Sequence, residues 1–230
     1  TPLALVMGYA ELLASGRLGE LVDVQAEAMD IIVRRSRMLR SLVEDISLLW
    51  HLERRIEDFE PVDLQETVTM AVAEFQAQAS SKGLSITADT PATPVTVLGV
   101  PLQLRRVLDN LIGNTLKFTP AGGSINVTLT SDGQAATIGV TDSGIGVPEE
   151  HLERIFERFY QVDGSSKRKY GGTGLGLALV RAIVERHRGT IWAESPVSDC
   201  QERPGTRVIF HLPLLEAPGV PHHHRTVYLG

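Results

Sequence analysis

TDSGIGVPEEHLERIFERFYQVDGSSKRKYGGTGLGLAL, residues 141–179, is the stretch whose reading decides how this chain folds. Asp142 is followed by Gly144 and Gly146, then by a short helix carrying Phe156 and Phe159. A polar, basic loop follows, and then a second glycine cluster at Gly171, Gly172, Gly174 and Gly176. Glycine at this density costs backbone entropy on folding, so it is kept where the chain must turn at positive φ or lie close against a ligand. The second cluster runs into an apolar helical pattern at Leu175, Leu179 and Ile183, which places free backbone amides at a helix N-terminus and makes an anion site. Together these features read as half of a nucleotide pocket.

Upstream, the spacing predicts a helix that begins near Pro101 and carries Leu104, Leu108, Leu111 and Ile112 as far as Phe118. Asn110, Asn114 and Lys117 recur on it at steps of four and three, so they share one face. Glutamate and lysine fill a solvated helix face better than asparagine does, which favours a metal and phosphate role for this row. A carboxamide oxygen suits Mg²⁺ shared with substrate phosphates, and lysine adds a point charge. Asp142 ends a strand, where a carboxylate can accept the exocyclic amine of adenine. In the free pocket that carboxylate is expected to be solvated, so its removal should barely touch stability. There is no Gly-Lys pair of a P-loop, no protein-kinase signature, and no complete dinucleotide glycine spacing.

The remaining chain reads as support. Apolar residues at Leu3, Val6, Ala10 and Leu13 mark a helix from Leu3 to Ala14, ended by Gly16 and Gly19. A longer helix from about Val24 to Glu57 carries Ile32, Leu39, Leu42, Ile46, Leu49 and Ile56 at coiled-coil steps, broken at Arg35 and Glu53. Two such helices cannot bury one wide apolar face each, so the hairpin is expected to dimerise into a four-helix bundle; the alternative is a hairpin packed on its own following domain. Phe59 to Leu64, with Pro61, reads as a break and a domain boundary. Beyond it come a helix (Leu64–Ser81), strands at Leu84–Ala88 and Val95–Leu98, and, after the helix from Pro101, a hairpin of Ile125–Leu129 with Ala136–Val140 turning at Asp132-Gly133. A further helix with Ile183 and Val184 leads to strands Ile191–Glu194 and Arg207–Leu212. This second part is α+β with a mixed or antiparallel sheet.

Composition bounds the function. A hydrophobic share of 43% with 22% charged residues is that of a soluble globular protein, and a net charge of −6 argues against a nucleic-acid surface. No apolar run approaches the ~20 residues of a membrane span. One cysteine, Cys200, allows no internal disulfide and no multi-cysteine zinc site.

The chain resembles the dimerisation and ATP-binding core of a bacterial two-component sensor histidine kinase. Four ordered motifs carry the likeness. They are Asn110-Leu-Ile-Gly-Asn114-Thr-Leu-Lys117-Phe118-Thr119, Asp142-Ser-Gly144-Ile-Gly146, Phe156-Glu-Arg-Phe159-Tyr160 and Gly172-Thr173-Gly174-Leu175-Gly176-Leu177. The departures are Thr115, where alanine is commoner, and Val100, where many relatives place aspartate. The resemblance implies a helical hairpin forming a dimeric four-helix bundle over residues 1–60, an α/β-sandwich ATP-binding domain of the Bergerat (GHKL) type over 61–215, and a tail over 216–230. It further implies that Asn114 ligates Mg²⁺ with Asn110 assisting, and that Lys117 and Phe118 line the phosphate and base sides. Asp142 would hold adenine with support from Thr206. The loop from Gln161 to Gly172 would be an ATP lid offering Lys167, Arg168 and Lys169 to the β- and γ-phosphates, while Thr173, Gly174, Leu175 and Gly176 continue the glycine box. Phe156 and Phe159 are expected to be core anchors.

The implied activity is transfer of the ATP γ-phosphoryl to a histidine and on to a response-regulator aspartate, from a cytoplasmic homodimer whose parent carries an upstream sensor domain. An ATPase or serine kinase of the same pocket superfamily, or a non-catalytic dimeric scaffold, stands second. In relatives the acceptor histidine lies four residues before the threonine of a Thr-Pro-Leu run, which here is Thr1-Pro2-Leu3. None of the seven histidines is placed to replace it, His51, His151, His187 and the tail triplet His222 to His224 included, so this chain is expected to bind ATP without phosphorylating itself. Thr1 occupies the family's phosphatase position.

Overall fold

A computed structural model describes residues 2–52, 59–162, 173–198, 200 and 202–215. Thr1, the side chain of His51, Glu53, Ile56, Lys167, Arg168, Lys169, Gly171, Gly172 and His222 to His224 lie outside the described residues. The chain opens with α1 (Pro2–Ala14) and α2 (Asp23–Leu52), which pack through the buried Met7 and Ala10 and an Arg37–Glu11 ion pair of 2.9 Å. No helix among the described residues is long and apolar enough to cross a membrane.

Where the sequence reading places only a break, Glu60–Asp63 form a strand, β1. Period two is too short to show there, and Pro61 argues against a strand. The proline is tolerated because β1 belongs to a two-stranded antiparallel ribbon with β3 (Thr96–Gly99), in which a missing N–H costs little. Val62 faces the core, and Asp63 caps α3 (Leu64–Ser81) by accepting from the amides of Gln65 at 2.8 Å and Glu66 at 3.2 Å.

The main sheet has five strands in the order β2 (Ser85–Asp89), β4 (Ser124–Ser131), β5 (Ala135–Asp142), β7 (Thr206–Pro213) and β6 (Thr190–Glu194). Only the β2–β4 pair is parallel, so the sheet is mixed. Its register stacks Val127, Val140 and Val208 in one row and Leu129, Ile138 and Phe210 in the next. This is the core face, covered by α3, α4 (Pro101–Phe118) and α5 (Gly176–Arg186). Strand limits differ from the sequence expectation by a residue or two, as pairing continues past the last apolar side chain.

α2 also belongs to this core. Leu49 is 7% exposed within the cluster and Leu42 and Leu48 pack against it, whereas Ile32, Leu39, Val43, Ile46 and Trp50 remain exposed. The apolar stripe read as a single dimer seam therefore divides, with Leu42 and Leu49 turned to the sheet domain of the same chain. Burying one leucine contributes about 1.5–3 kcal/mol, enough to hold the helix there.

Candidate functional site

Residues 136, 138, 140 and 142 of β5 share one face, and the first three fill the core. Asp142 therefore points inward at the strand's end and is 8% exposed, opposite its register partner Thr206. Its Oδ1 accepts from the amides of Gly144 at 2.8 Å and Thr206 at 3.3 Å. Burial raises the pKa of the carboxyl above that of a free aspartate, against the pull of those two amides. Gly144 is needed for the close approach: a Cβ there would lie 2.7 Å from both Asp142 Oδ1 and the Phe118 carbonyl oxygen.

Across from Asp142 runs α4, whose buried side carries Leu104, Leu108, Leu111 and Ile112. Its other row is Arg106, Asn110, Asn114 and Lys117. The Asn110 amide nitrogen donates to the Arg106 carbonyl oxygen at 2.9 Å. Its oxygen thereby lies toward Gly176, the first residue of α5, where a Cβ would stand only 2.7 Å away. Any larger residue would push the Asn110 side chain from its place at the point where the two helices frame the site. Lys117 is half-buried, with its Nζ 4.6 Å from the centre of the Phe118 ring, and burial lowers its pKa. A desolvated ammonium of this kind is poised for an anion.

These groups converge on a cavity of about 380 Å³ lined by Asn110, Asn114, Lys117, Phe118, Asp142, Gly146, Thr173, Gly174, Gly176 and Thr206. Two of the described glycine-motif residues expected at the site do not line it. Gly144 supports Asp142 from behind, and Leu175 is 1% exposed in the core, its amide already accepted by Thr173 Oγ1 at 3.2 Å. Leu175 is thus a packing residue, which follows from its place at the start of an apolar helix face. Lys167, Arg168, Lys169 and Gly172 lie outside the described residues.

Phe156 is buried, but Phe159 is 66% exposed and corrects the expectation of two core anchors. Where a short helix was expected there are two 3₁₀ turns, Glu149–His151 and Arg154–Phe156. The chain then reverses at Phe159, whose φ is +64° and whose amide donates to the Gly174 carbonyl oxygen at 2.8 Å, turning the ring outward. Sequence reading also passed over Tyr160, which lines the cavity with its hydroxyl 2.5 Å from His151 Nδ1 and its ring 4.3 Å from the Arg154 guanidinium. Ser41 and Asp45 of α2 line the cavity as well. The signal for Asp45 was available in a carboxylate set between Leu42 and Leu49 at helical spacing.

Residues 99–216 match a family model described as histidine kinase-, DNA gyrase B-, and HSP90-like ATPase. The chain belongs to this ATPase family. The match covers α4, both glycine motifs and the sheet end that holds Asp142 and Thr206. Among the similar ATPase-family chains, the sensor histidine kinase RppB of Synechocystis sp. is 37% identical over 189 residues, covering 81% of this chain and 40% of that protein. The mycobacterial sensor histidine kinase MprB is 30% identical with a TM-score of 0.59, over 68% of this chain and 97% of that one. Full-length ShkA, solved in complex with AMPPNP, is 29% identical with a TM-score of 0.73, over 94% of this chain and 44% of that one. The chain thus spans less than half the length of its RppB relative.

Proposed function

We propose that this chain is the core of a sensor histidine kinase that binds Mg-ATP and transfers its γ-phosphoryl to a histidine, from which it passes to an aspartate of a response-regulator receiver domain. One observation carries the reading: a buried carboxylate, Asp142, sits on the sheet side of the same cavity into which Asn110, Asn114 and a desolvated Lys117 project from α4. Asp142 accepts the adenine amine while its Oδ1 stays fixed by two amides, and Thr206 completes that floor. Phe118 flanks the base. Gly146, Thr173, Gly174 and Gly176 admit the nucleotide closely, and Lys167, Arg168 and Lys169, which precede the second glycine motif in sequence, serve the β- and γ-phosphates.

The donor set fits Mg²⁺. Asn110 and Asn114 offer neutral oxygens, and among the described residues no cluster of three His, Cys, Asp or Glu side chains competes as an all-protein metal site. Magnesium suits sites that supply one or two protein ligands and leave the rest to phosphate and water. Bound there, it would neutralise charge on the transferring phosphoryl group.

We further propose two units, residues 1–60 and 61–215, with a tail over 216–230, and a homodimer through a four-helix bundle. The exposed row of Ile32, Leu39, Val43, Ile46 and Trp50 on α2, with Leu5, Val6 and Tyr9 on α1, supports this seam, since so much apolar surface in line is otherwise uncovered. An upstream sensor domain, a cytoplasmic setting and Thr1 as a phosphatase-position residue complete the reading. Isothermal titration with Mg-ATP tests its centre. Binding that is lost in Asp142→Ala is expected; equal affinity in that variant would remove Asp142 from base recognition.

A further inference from the structure

The cavity has a wall that does not come from the sheet domain. Asp45 of α2 lines it and is 3% exposed, with one oxygen 2.7 Å from a terminal nitrogen of Arg106. Arg106 stands one turn before Asn110 on α4, about 6 Å along the axis, and its carbonyl oxygen accepts the Asn110 amide. Leu49, one turn beyond Asp45, is buried in the core of the sheet domain, and Leu42 packs against the same core. The hairpin is thus clamped on the metal and phosphate side of the cavity by an ion pair flanked by leucines.

In this arrangement a carboxylate lines the cavity on the side of Asn110 and Asn114, where the proposed polyphosphate would lie, and Arg106, one turn before Asn110, has its charge engaged by that carboxylate. Both effects oppose a polyanion. Swinging α2 away removes the carboxylate and frees Arg106 to face the phosphates from the row that holds Asn110 and Asn114. We propose that the Asp45–Arg106 pair is an autoinhibitory latch: it holds α2 as a wall of the nucleotide cavity, and polyphosphate and α2 displace one another. This rests on the nucleotide reading of the pocket. Linkage requires that whatever loosens α2 tightens polyphosphate binding by the same factor, and only the phosphate-bearing part of the ligand is subject to it.

The test compares Mg-ATP with adenosine on the whole chain and on Asp45→Asn, which keeps the shape and removes the charge. Titration calorimetry is expected to give about tenfold tighter ATP binding in the variant, the order expected for one charge a few ångströms from a partly desolvated phosphate, with adenosine unchanged. Adding Arg106→Gln to that variant should cancel the gain. Amide hydrogen exchange over residues 39–49 should quicken in Asp45→Asn, and in the unsubstituted chain on adding ATP but not adenosine. An equal change in ATP and adenosine affinity, or exchange in α2 that neither the variant nor ATP alters, would overturn the latch. An unsubstituted chain that binds no ATP defeats the reading of the pocket instead; the latch is then judged by exchange in Asp45→Asn without nucleotide, where an unchanged rate overturns it.

Discussion

Asp142 is the residue on which structure and recognition depend together. The sequence suggested a solvated carboxylate, dispensable for folding, but the side chain is buried and its Oδ1 takes two backbone amides. Asp142→Ala leaves those donors without an acceptor, so we expect loss of ATP binding together with destabilisation of about 1–3 kcal/mol, read by urea unfolding. Stability unchanged in the variant would show that water replaces the carboxylate at no cost. The same burial fixes a pH dependence. The folded carboxyl holds its proton above the ordinary 3.8, so between 3.8 and the raised value the folded state binds more protons than the unfolded one. This group's contribution to stability therefore falls as pH rises through that window. Binding follows the opposite course: the ionised form is the better acceptor for adenine, so ATP affinity should weaken as pH drops through the raised pKa, and Asp142→Asn should flatten that limb. Asn114→Ala makes a separate demand. In a form that carries an acceptor histidine, its phosphorylation rate should need more Mg²⁺ to saturate while adenosine binds as before; an unshifted magnesium titration would take Asn114 out of the metal site.

At the scale of elements, α2 is the helix that the sequence underdetermined. A heptad-like rhythm says that a stripe is buried, not against what, and two interleaved rows satisfied the same spacing. Leu42 and Leu49 turn to the sheet domain, while Ile32, Leu39, Val43, Ile46 and Trp50 stay outside. The exposed row is the one that should carry the dimer, so Ile46→Asp is expected to shift the chain to monomer in sedimentation velocity and to leave the catalytic core's unfolding nearly unchanged. A dimer that survives Ile46→Asp would place the interface elsewhere. By contrast, α4 and the β4–β5 hairpin were legible because periodicity, a proline at the helix start and an Asp-Gly turn agreed. β1 was not, because four residues containing a proline carry no usable period. Phe159 was misread because hydrophobicity predicts burial only on average, and a backbone turn of positive φ overrode it. Asp45 and Arg106 lie 61 positions apart, and only the fold brings them together.

Across the whole molecule the question is how far the sheet domain depends on the hairpin. Its core is continuous from α3 to β7, and α2 contributes Leu49 with Leu42 and Leu48 beside it. The catalytic part should fold alone, in keeping with MprB, where a chain matched over 97% of its length covers 68% of this one. Losing α2 exposes the surface that Leu49 covers, a cost of about 1.5–3 kcal/mol, and one kcal/mol moves the midpoint of a domain this size by roughly 2–4 °C. A piece spanning residues 59–215 should therefore unfold cooperatively, bind Mg-ATP, and melt roughly 5 °C below the whole chain. Scanning calorimetry with and without nucleotide decides this. An equal melting temperature would mean that α2 adds nothing to the core it touches, and a piece without a cooperative transition would mean that the hairpin is part of the catalytic fold rather than a helix docked upon it.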